Sequence, residues 1–314
     1  MTIFLLMRKE DVPGRRVLPG AERWGTGLPS MTIQVSDAER DTVLEFFSGM
    51  SVAARHRFAV NDVLAGLRLW RLAWSLGWLD IRLRYRGSML GPFWLTISTG
   101  VMVGSLGFLY ARLWQISVRD YLPFLALSQV LWGFLSTLVS ESCVAFTESE
   151  GVIRSVRMPY FVFAMRILVR NVLVLAHNIF VIVVVFVLLR IWPGAAALLA
   201  IPALPLWGID ALALALLLGG ICARFRDIMP IVNSVMMIAF FLSPVIWKPE
   251  MLKSAAVWLP FNPFYDMLEI VRAPILGEVP SLLVWVGALG YSAVLCGLAW
   301  TFFLRARGRV AFWI

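Results

Sequence analysis

Apolar residues fall in long blocks between about Trp94 and Leu304, broken by short polar connections. Crossing a hydrocarbon core roughly 30 Å thick takes about 20 helical residues, and the blocks reach that length. A transmembrane barrel would alternate apolar and polar positions in segments of about ten, whereas residues 179–189 are apolar on every face. The pattern predicts an all-α integral membrane protein with six transmembrane helices, near residues 90–113, 122–146, 170–189, 195–222, 228–247 and 282–304. Residues 248–280 are too polar to span and too apolar for a plain loop, with Trp258, Phe261, Tyr265 and Ile270 set among Asp266, Glu269 and prolines. Outer re-entrant helices between spans five and six, their free backbone facing protein or water, satisfy that mixture. An exposed amphipathic cap satisfies it equally.

Ahead of the first span the period changes. Arg68, Arg71, Ser75, Arg82 and Arg86 share one stripe of a helix over 62–86, and Val63, Leu67, Trp70, Trp74, Trp78, Ile81 and Tyr85 form the opposite one. Such a helix suits the inner membrane surface, guanidinium groups toward phosphates and indoles at headgroup level. In the other reading the Trp stripe packs on neighbouring helices. Residues 1–60 mix Gly, Pro and charges of both signs and read as a partly disordered cytoplasmic extension. Within it Ser36 and Glu39 have the capping-box spacing, so a more regular stretch opens at Met31. Residues 1–30 are then a candidate over-extension of the reading frame, which the mass of the native N-terminus tests. The organisation expected is a 1–60 extension, a 61–88 amphipathic interfacial helix, an 89–306 six-span domain and a 307–314 cytoplasmic tail.

With 60% apolar and 15% charged residues and a mean hydropathy of +0.82, the chain lies far from a soluble domain, which carries about 25% charge. A net charge of +9 and a pI of 10.1 would suggest nucleic acid in a soluble protein. Here no basic run is interleaved with polar residues and stacking aromatics, so no nucleic-acid partner is expected. The excess follows the positive-inside bias: from Arg55 onward 16 basic residues fall on the side of the termini against 6 on the other, which puts both termini in the cytoplasm. The early apolar run at 3–7 is too short for a signal peptide.

No Gly–Lys pair occurs, so there is no GxxxxGK[ST] phosphate loop and the chain is not expected to hydrolyse ATP alone. His56 and His177 lack metal-ligand spacing. Cys143, Cys222 and Cys296 are far apart in apolar segments and match no metal or redox motif. No catalytic residue, metal or cofactor is expected in this chain. Glu141 and Asp210 fall inside predicted spans and must face a partner or water, because lipid exposure of a charge costs several kcal/mol.

The connection between spans two and three, ESEGVIRSVRMP at 148–159, is preceded by Thr147. Thr147 and Glu150 have capping-box spacing. Glu148 and Glu150 sit at the positive end of the implied helix, Arg154 and Arg157 at its negative end, and Glu150–Arg154 is a favourable i,i+4 pair. Pro159 disfavours helical geometry at Met158 and ends the helix. It serves as a rigid lever between the membrane bundle and a soluble partner, or it is an ordinary solvated turn. Gly100 and Gly104 form a GxxxG, which permits close helix approach. Trp94, Tyr110, Trp114, Trp132 and Phe134 crowd spans one and two. They are core and interfacial-belt residues, or rings lining a path along which sugar faces slide.

Taken in order over 60–314, these segments resemble the membrane permease subunits of ABC-2 type exporters that move O-antigen, capsular and teichoic polysaccharides. RYRGSMLGPFW (84–94) is similar to the junction of that family's gating helix with its first span, and ESEGVIRSVRMP to its coupling helix. RFRD (224–227), SPVIW (243–247) and LPFNPFY (259–265) resemble its fourth-to-fifth connection, fifth span and outer re-entrant helices, and RGRVAFWI (307–314) resembles the end of its O-antigen branch. The resemblance implies a homodimer of six-span subunits in a bacterial inner membrane, each docked to a separate ATP-binding ABC subunit that carries the ATP and magnesium. It implies that a lipid-linked glycan enters from the cytoplasmic leaflet near the gating helix and threads a channel lined by aromatics such as Trp94, Tyr110, Trp114, Trp132 and Phe134. Glu148, Glu150, Ile153, Arg154 and Arg157 would then contact the ATPase, and Arg68, Arg71, Arg82, Arg84 and Arg86 the lipid diphosphate or the inner leaflet. The 60-residue extension is longer than a minimal member needs. Two rival readings are an ABC-2 exporter of a drug or small lipid on the same fold, and a membrane-embedded glycosyl- or acyltransferase. The last predicts turnover by the isolated chain, and the shortage of paired acids, bases and metal ligands stands against it.

Overall fold

The computed structural model describes residues 51–91 and 93–314. The Ser36–Glu39 capping box and the character of residues 1–50 lie outside the described residues. Among the described residues the regular structure is all helical, with no strand.

Ser51 is extended and accepts from the Ala54 amide at 3.3 Å, capping α1 (Val52–Arg68). The single amphipathic helix expected over 62–86 is two helices. At Leu69 (φ −92°, ψ 21°) the amide reaches both the Ala65 and Gly66 carbonyls, a tightened turn that interrupts the ladder before α2 (Trp70–Arg84). Gly87 and Gly91 then adopt φ of +85° and +56°, which glycine reaches at little cost, and turn the chain into α3 (Phe93–Leu113).

Ser117 caps α4 (Val118–Cys143), accepting from the Asp120 amide at 3.2 Å. A 3₁₀ turn (Thr147–Ser149) leads to the short α5 (Glu150–Ser155) and then to α6 (Tyr160–Leu189). The third apolar helix thus begins at Tyr160, not at Arg170; Arg166 and Arg170 sit inside it because each has carboxylate partners. A 3₁₀ segment (Ala195–Ala200) precedes α7 (Ala203–Arg224). The next helix, α8 (Ile228–Leu242), stops short of the expected 247: Pro244 disfavours helical geometry at Ser243, which is extended at ψ 146°. A broken 3₁₀ stretch (Pro249–Phe261) follows, with Lys253 at φ 49°, then α9 (Pro263–Leu276), capped by Asn262 and closed by Gly277 at φ 92°. The chain finishes in α10 (Leu282–Ala306) and the four-residue α11 (Val310–Trp313).

Among the described residues five helices are long and apolar enough to cross a membrane, and α8 is a shorter apolar helix. The α4 helix is the centre of the bundle, packed against α3, α6 and α7, with Leu125, Leu127 and Leu138 almost fully buried. Among the described residues the GxxxG makes no close approach: a Cβ at Gly104 would meet nothing within 4 Å. Gly107, one turn on, is the tight position, where a Cβ would stand 2.3 Å from Leu122. The α9 helix is sunk into the largest core cluster through Met267, Leu268, Ile270 and Val271.

Candidate functional site

One end of the bundle collects the basic residues of α1, α2, the 147–157 connection and the end of α10. There α1 and α2 lie on α6 by a face that, apart from Ile81, neither expected stripe contains. Ala59, Asp62, Gly66, Ala73, Gly77 and Ile81 are buried, and the approach is close: a Cβ at Gly66 would stand 2.7 Å from Phe161, one at Gly77 2.8 Å from Val169. Trp70, Trp74 and Trp78 remain exposed, as do Arg68, Arg71, Arg82 and Arg86. The tryptophans therefore do not pack on neighbouring helices of this chain; the Arg71 guanidinium lies 5.7 Å over the Trp70 ring. Arg84, which lies outside the arginine stripe, reaches inward to Glu141 at 2.8 Å.

Beneath α2 lies a network of charges that ties four elements together. Arg166 of α6 grips Asp80 of α2 with two parallel bonds, Nε to Oδ2 at 2.7 Å and Nη2 to Oδ1 at 2.6 Å, and its Nη1 donates to the Ser149 hydroxyl at 3.1 Å. Arg170, one turn on, is buried with only 4% of its side chain exposed. It meets Glu141 of α4 at 2.7 Å, Glu148 of the 3₁₀ turn at 3.2 Å and Asp80 at 3.5 Å. Glu141 also accepts from Asn171 at 2.7 Å. Glu141 is thus not a lone mid-membrane carboxylate; it sits near the end of α4 within reach of two arginines. Such charge-assisted, two-point contacts fix geometry as well as adding energy. Because both arginines lie on α6, the 147–155 segment and α2 cannot move independently of it without breaking ion pairs.

The 147–155 segment itself departs from its expected capping. The Thr147 hydroxyl donates to the Val144 carbonyl at 3.3 Å instead of capping, and a 3₁₀ turn precedes the α-helix. The Glu150–Arg154 pair forms at 2.9 Å. Arg154 also donates to the Ile314 carbonyl oxygen, and Ile153 packs on the cluster that holds Phe146 and Phe161. Arg157 is exposed and has no ion-pair partner among the described residues. Behind the segment a cavity of about 250 Å³ is floored by Cys143 and Cys222 and rimmed by Glu150, Arg226, Trp313 and Ile314. The two thiols, distant in sequence, meet there.

The candidate channel aromatics separate into groups. Trp94 is exposed, and Tyr110 stacks on Trp114 at 4.8 Å. Trp132 and Phe134 are buried within this chain, Trp132 against Phe240 and Phe264, and Phe134 stacked on Trp207 at 5.3 Å. His177 is satisfied by the Leu173 carbonyl, 2.7 Å from Nδ1, and by the Phe93 ring, not by Asn178. Asp210 accepts from Ser292 at 2.7 Å. At the opposite end Arg272 is 1% exposed; it pairs with Glu269, donates to Ser128 at 2.8 Å and lies 4.4 Å over the Phe124 ring. Among the described residues no three His, Cys, Asp or Glu side chains converge as a metal site would require.

Of the expected contact residues, the structure joins Glu148, Glu150, Arg154 and Arg84 to wider networks and leaves Arg157, Arg68, Arg71, Arg82 and Arg86 outward. Asp62, Asp80, Arg166 and Asn171 escaped the reading of the sequence. A signal existed: Asp62 and Asp80 are the only acids among the seven arginines of 55–86, and they share a face with small residues at 59, 66, 73 and 77.

The chain is 23% identical over 206 residues to an O-antigen export system permease protein RfbA of Myxococcus xanthus, covering 63% of this chain and 78% of that one. It is 21% identical over 191 residues to an RfbA of Klebsiella pneumoniae, covering 60% and 74%. Residues 71–276, from the middle of α2 to the end of α9, match the family described as ABC-2 type transporter. That match takes in the charge network and most of the bundle, and the chain belongs to the ABC-2 type transporter family.

Proposed function

We propose that this chain is the permease subunit of an exporter that moves a lipid-linked polysaccharide, of O-antigen or capsule type, across a bacterial inner membrane. Two copies form the path, α8 supplies a sixth crossing, and the termini and the arginine-rich end face the cytoplasm. The 249–276 segment dips into the outer half of the membrane. ATP and magnesium bind a separate ABC subunit, so this chain transports and does not catalyse. Similarity to the O-antigen export permeases favours the glycan over a drug or small lipid.

The observation that carries the reading is the lock formed by Glu148, Glu141, Asp80, Arg166 and Arg170. Closure of the ATPase dimer displaces the 147–155 segment, and the lock passes that displacement to α2 and α6, shifting the population toward an open path. Glu148, Glu150, Ile153, Arg154 and Arg157 form the contact with the ATPase, Arg157 as its unpaired cation. Arg68, Arg71, Arg82 and Arg86, with the more inward Arg84, meet the lipid diphosphate or the inner leaflet. Trp94, Tyr110 and Trp114 are the rings best placed to touch glycan; Trp132 and Phe134 support the wall. The test is reconstitution of the chain with its ATP-binding partner in proteoliposomes. Accumulation of undecaprenyl-linked glycan inside inverted vesicles on adding ATP is expected. Transport of a small lipid or drug without glycan would replace this cargo, and covalent turnover by the isolated chain would overturn the transport reading.

A further inference from the structure

Residues 307–314 return to the bundle and touch four of its parts. Arg307 Nε donates to Asp62 Oδ2 at 2.8 Å, and Asp62, 3% exposed, also accepts from the Phe161 amide at 3.1 Å, at the start of α6. Val310 and Ile314 are buried in the cluster containing Phe146 and Phe161. The Arg224 guanidinium at the end of α7 lies 5.2 Å over the Trp313 ring. The Ile314 carbonyl oxygen accepts from Arg154, the same side chain that pairs with Glu150.

We infer that this segment is a strap that positions the 147–155 helix. The helix α5 is only six residues long, and no side chain caps its N-terminus, so its own hydrogen bonds cannot hold it against solvent. Its inner side rests on Ile153 and on the strap. An ion pair at one end of the strap (Arg307–Asp62) and an apolar plug at the other (Val310, Ile314) fix the strap, and Arg154 fixes the helix to it. The consequence is mechanical: α1 and the 147–155 helix are joined on a second side, away from the Asp80–Arg166 lock. A push on the helix then moves α1 as well as α2, without slack. This role rests on the proposed coupling to an ATPase, but the ordering of the helix does not.

The experiment compares the full chain with one ending after Arg309, which keeps the Arg307–Asp62 pair, and with Trp313→Ala in the full chain, each in nanodiscs with the ATP-binding partner. Amide exchange over 150–156 should quicken by about tenfold in the truncated chain and by less in Trp313→Ala, because the helix opens locally once its support is gone. Exchange in α4 should stay as it was. Glycan exported per ATP hydrolysed should fall while the partner still co-purifies. Unchanged exchange over 150–156 in both variants overturns the strap, whatever the transport result. Should the truncated chain fail to insert, Trp313→Ala decides by the same readout. A wild-type complex that exports no glycan refutes the proposed cargo and leaves the exchange result to judge the strap alone.

Discussion

Asp80 of α2 receives Nε and Nη2 of Arg166 at 2.7 and 2.6 Å, with both side chains mostly shielded from solvent. Their separation of 86 positions makes this a purely tertiary contact, and it sets where the amphipathic pair sits on the bundle. Asp80→Ala and Arg166→Ala should each destabilise the chain, and the double variant by less than their sum. A double-mutant thermal cycle in detergent should return a coupling of about 1–3 kcal/mol. A coupling near zero would remove the pair as an anchor.

Two of the three carboxylates facing Arg170 differ in depth, and so should their variants. Glu141 is 17% exposed and serves Arg84, Arg170 and Asn171, whereas Glu148 is 46% exposed and 3.2 Å away. Glu141→Ala leaves a buried guanidinium short of a partner and should cost about 3 kcal/mol. Glu148→Ala should cost about 1 kcal/mol or less, as exposed pairs do. Melting temperatures that rank the two the other way would contradict this division.

Glycines at the docking face should be intolerant where the GxxxG pair is not. Gly66→Ala puts a Cβ 2.7 Å from Phe161, and the resulting overpacking should cost about 1–3 kcal/mol. Gly104→Ala, with open space around it in the chain, should change chain stability by under about 0.5 kcal/mol. The comparison is read from denaturation midpoints of the two variants.

Charge reversal should separate Arg157 from Arg154. Arg157→Glu meets no ion-pair partner among the described residues, so it should leave the melting temperature within about a degree and lower co-purification of the ATP-binding subunit. Arg154→Glu faces Glu150 and the Ile314 carbonyl and should also loosen the 147–155 helix, read as faster amide exchange there. Equal binding by wild type and Arg157→Glu would exclude Arg157 from the contact.

Asp266 sets a dependence on pH. It is 1% exposed, its Oδ1 has no hydrogen-bond partner, and its Oδ2 lies so near Gly287 that a Cβ there would stand 2.0 Å away. Burial, with the neighbouring Glu269 charge, pushes its carboxyl up to about 7. A folded value above the unfolded one of about 3.9 means the neutral acid belongs to the fold. Its contribution is full below pH 4 and is lost as pH rises through 7. The melting temperature should therefore fall between pH 5 and 8, and Asp266→Asn should flatten that fall. An identical slope in the variant would refute it.

Helix type was legible along the chain because each apolar block must satisfy its own backbone in lipid, a demand met within one segment. Helix ends were missed where they depend on partners, and the short α5 ends at Ser155, ahead of the Met158 stop expected from Pro159. The third span begins at Tyr160 because Asp80, Glu141 and Glu148 neutralise Arg166 and Arg170, and none of those acids is near them in sequence. The arginine stripe of α2 was readable from its period, and it stays outward. The face that docks carries alanine, glycine and two aspartates, whose weak hydropathy signal hides how closely they approach α6.

Composition and periodicity determined that this is an α-helical membrane protein with a charged connection and an amphipathic leader. Which charges meet was left to tertiary structure. An ion pair is a property of distance, and residues 80 and 166, or 62 and 307, come within 3 Å only after the helices have packed.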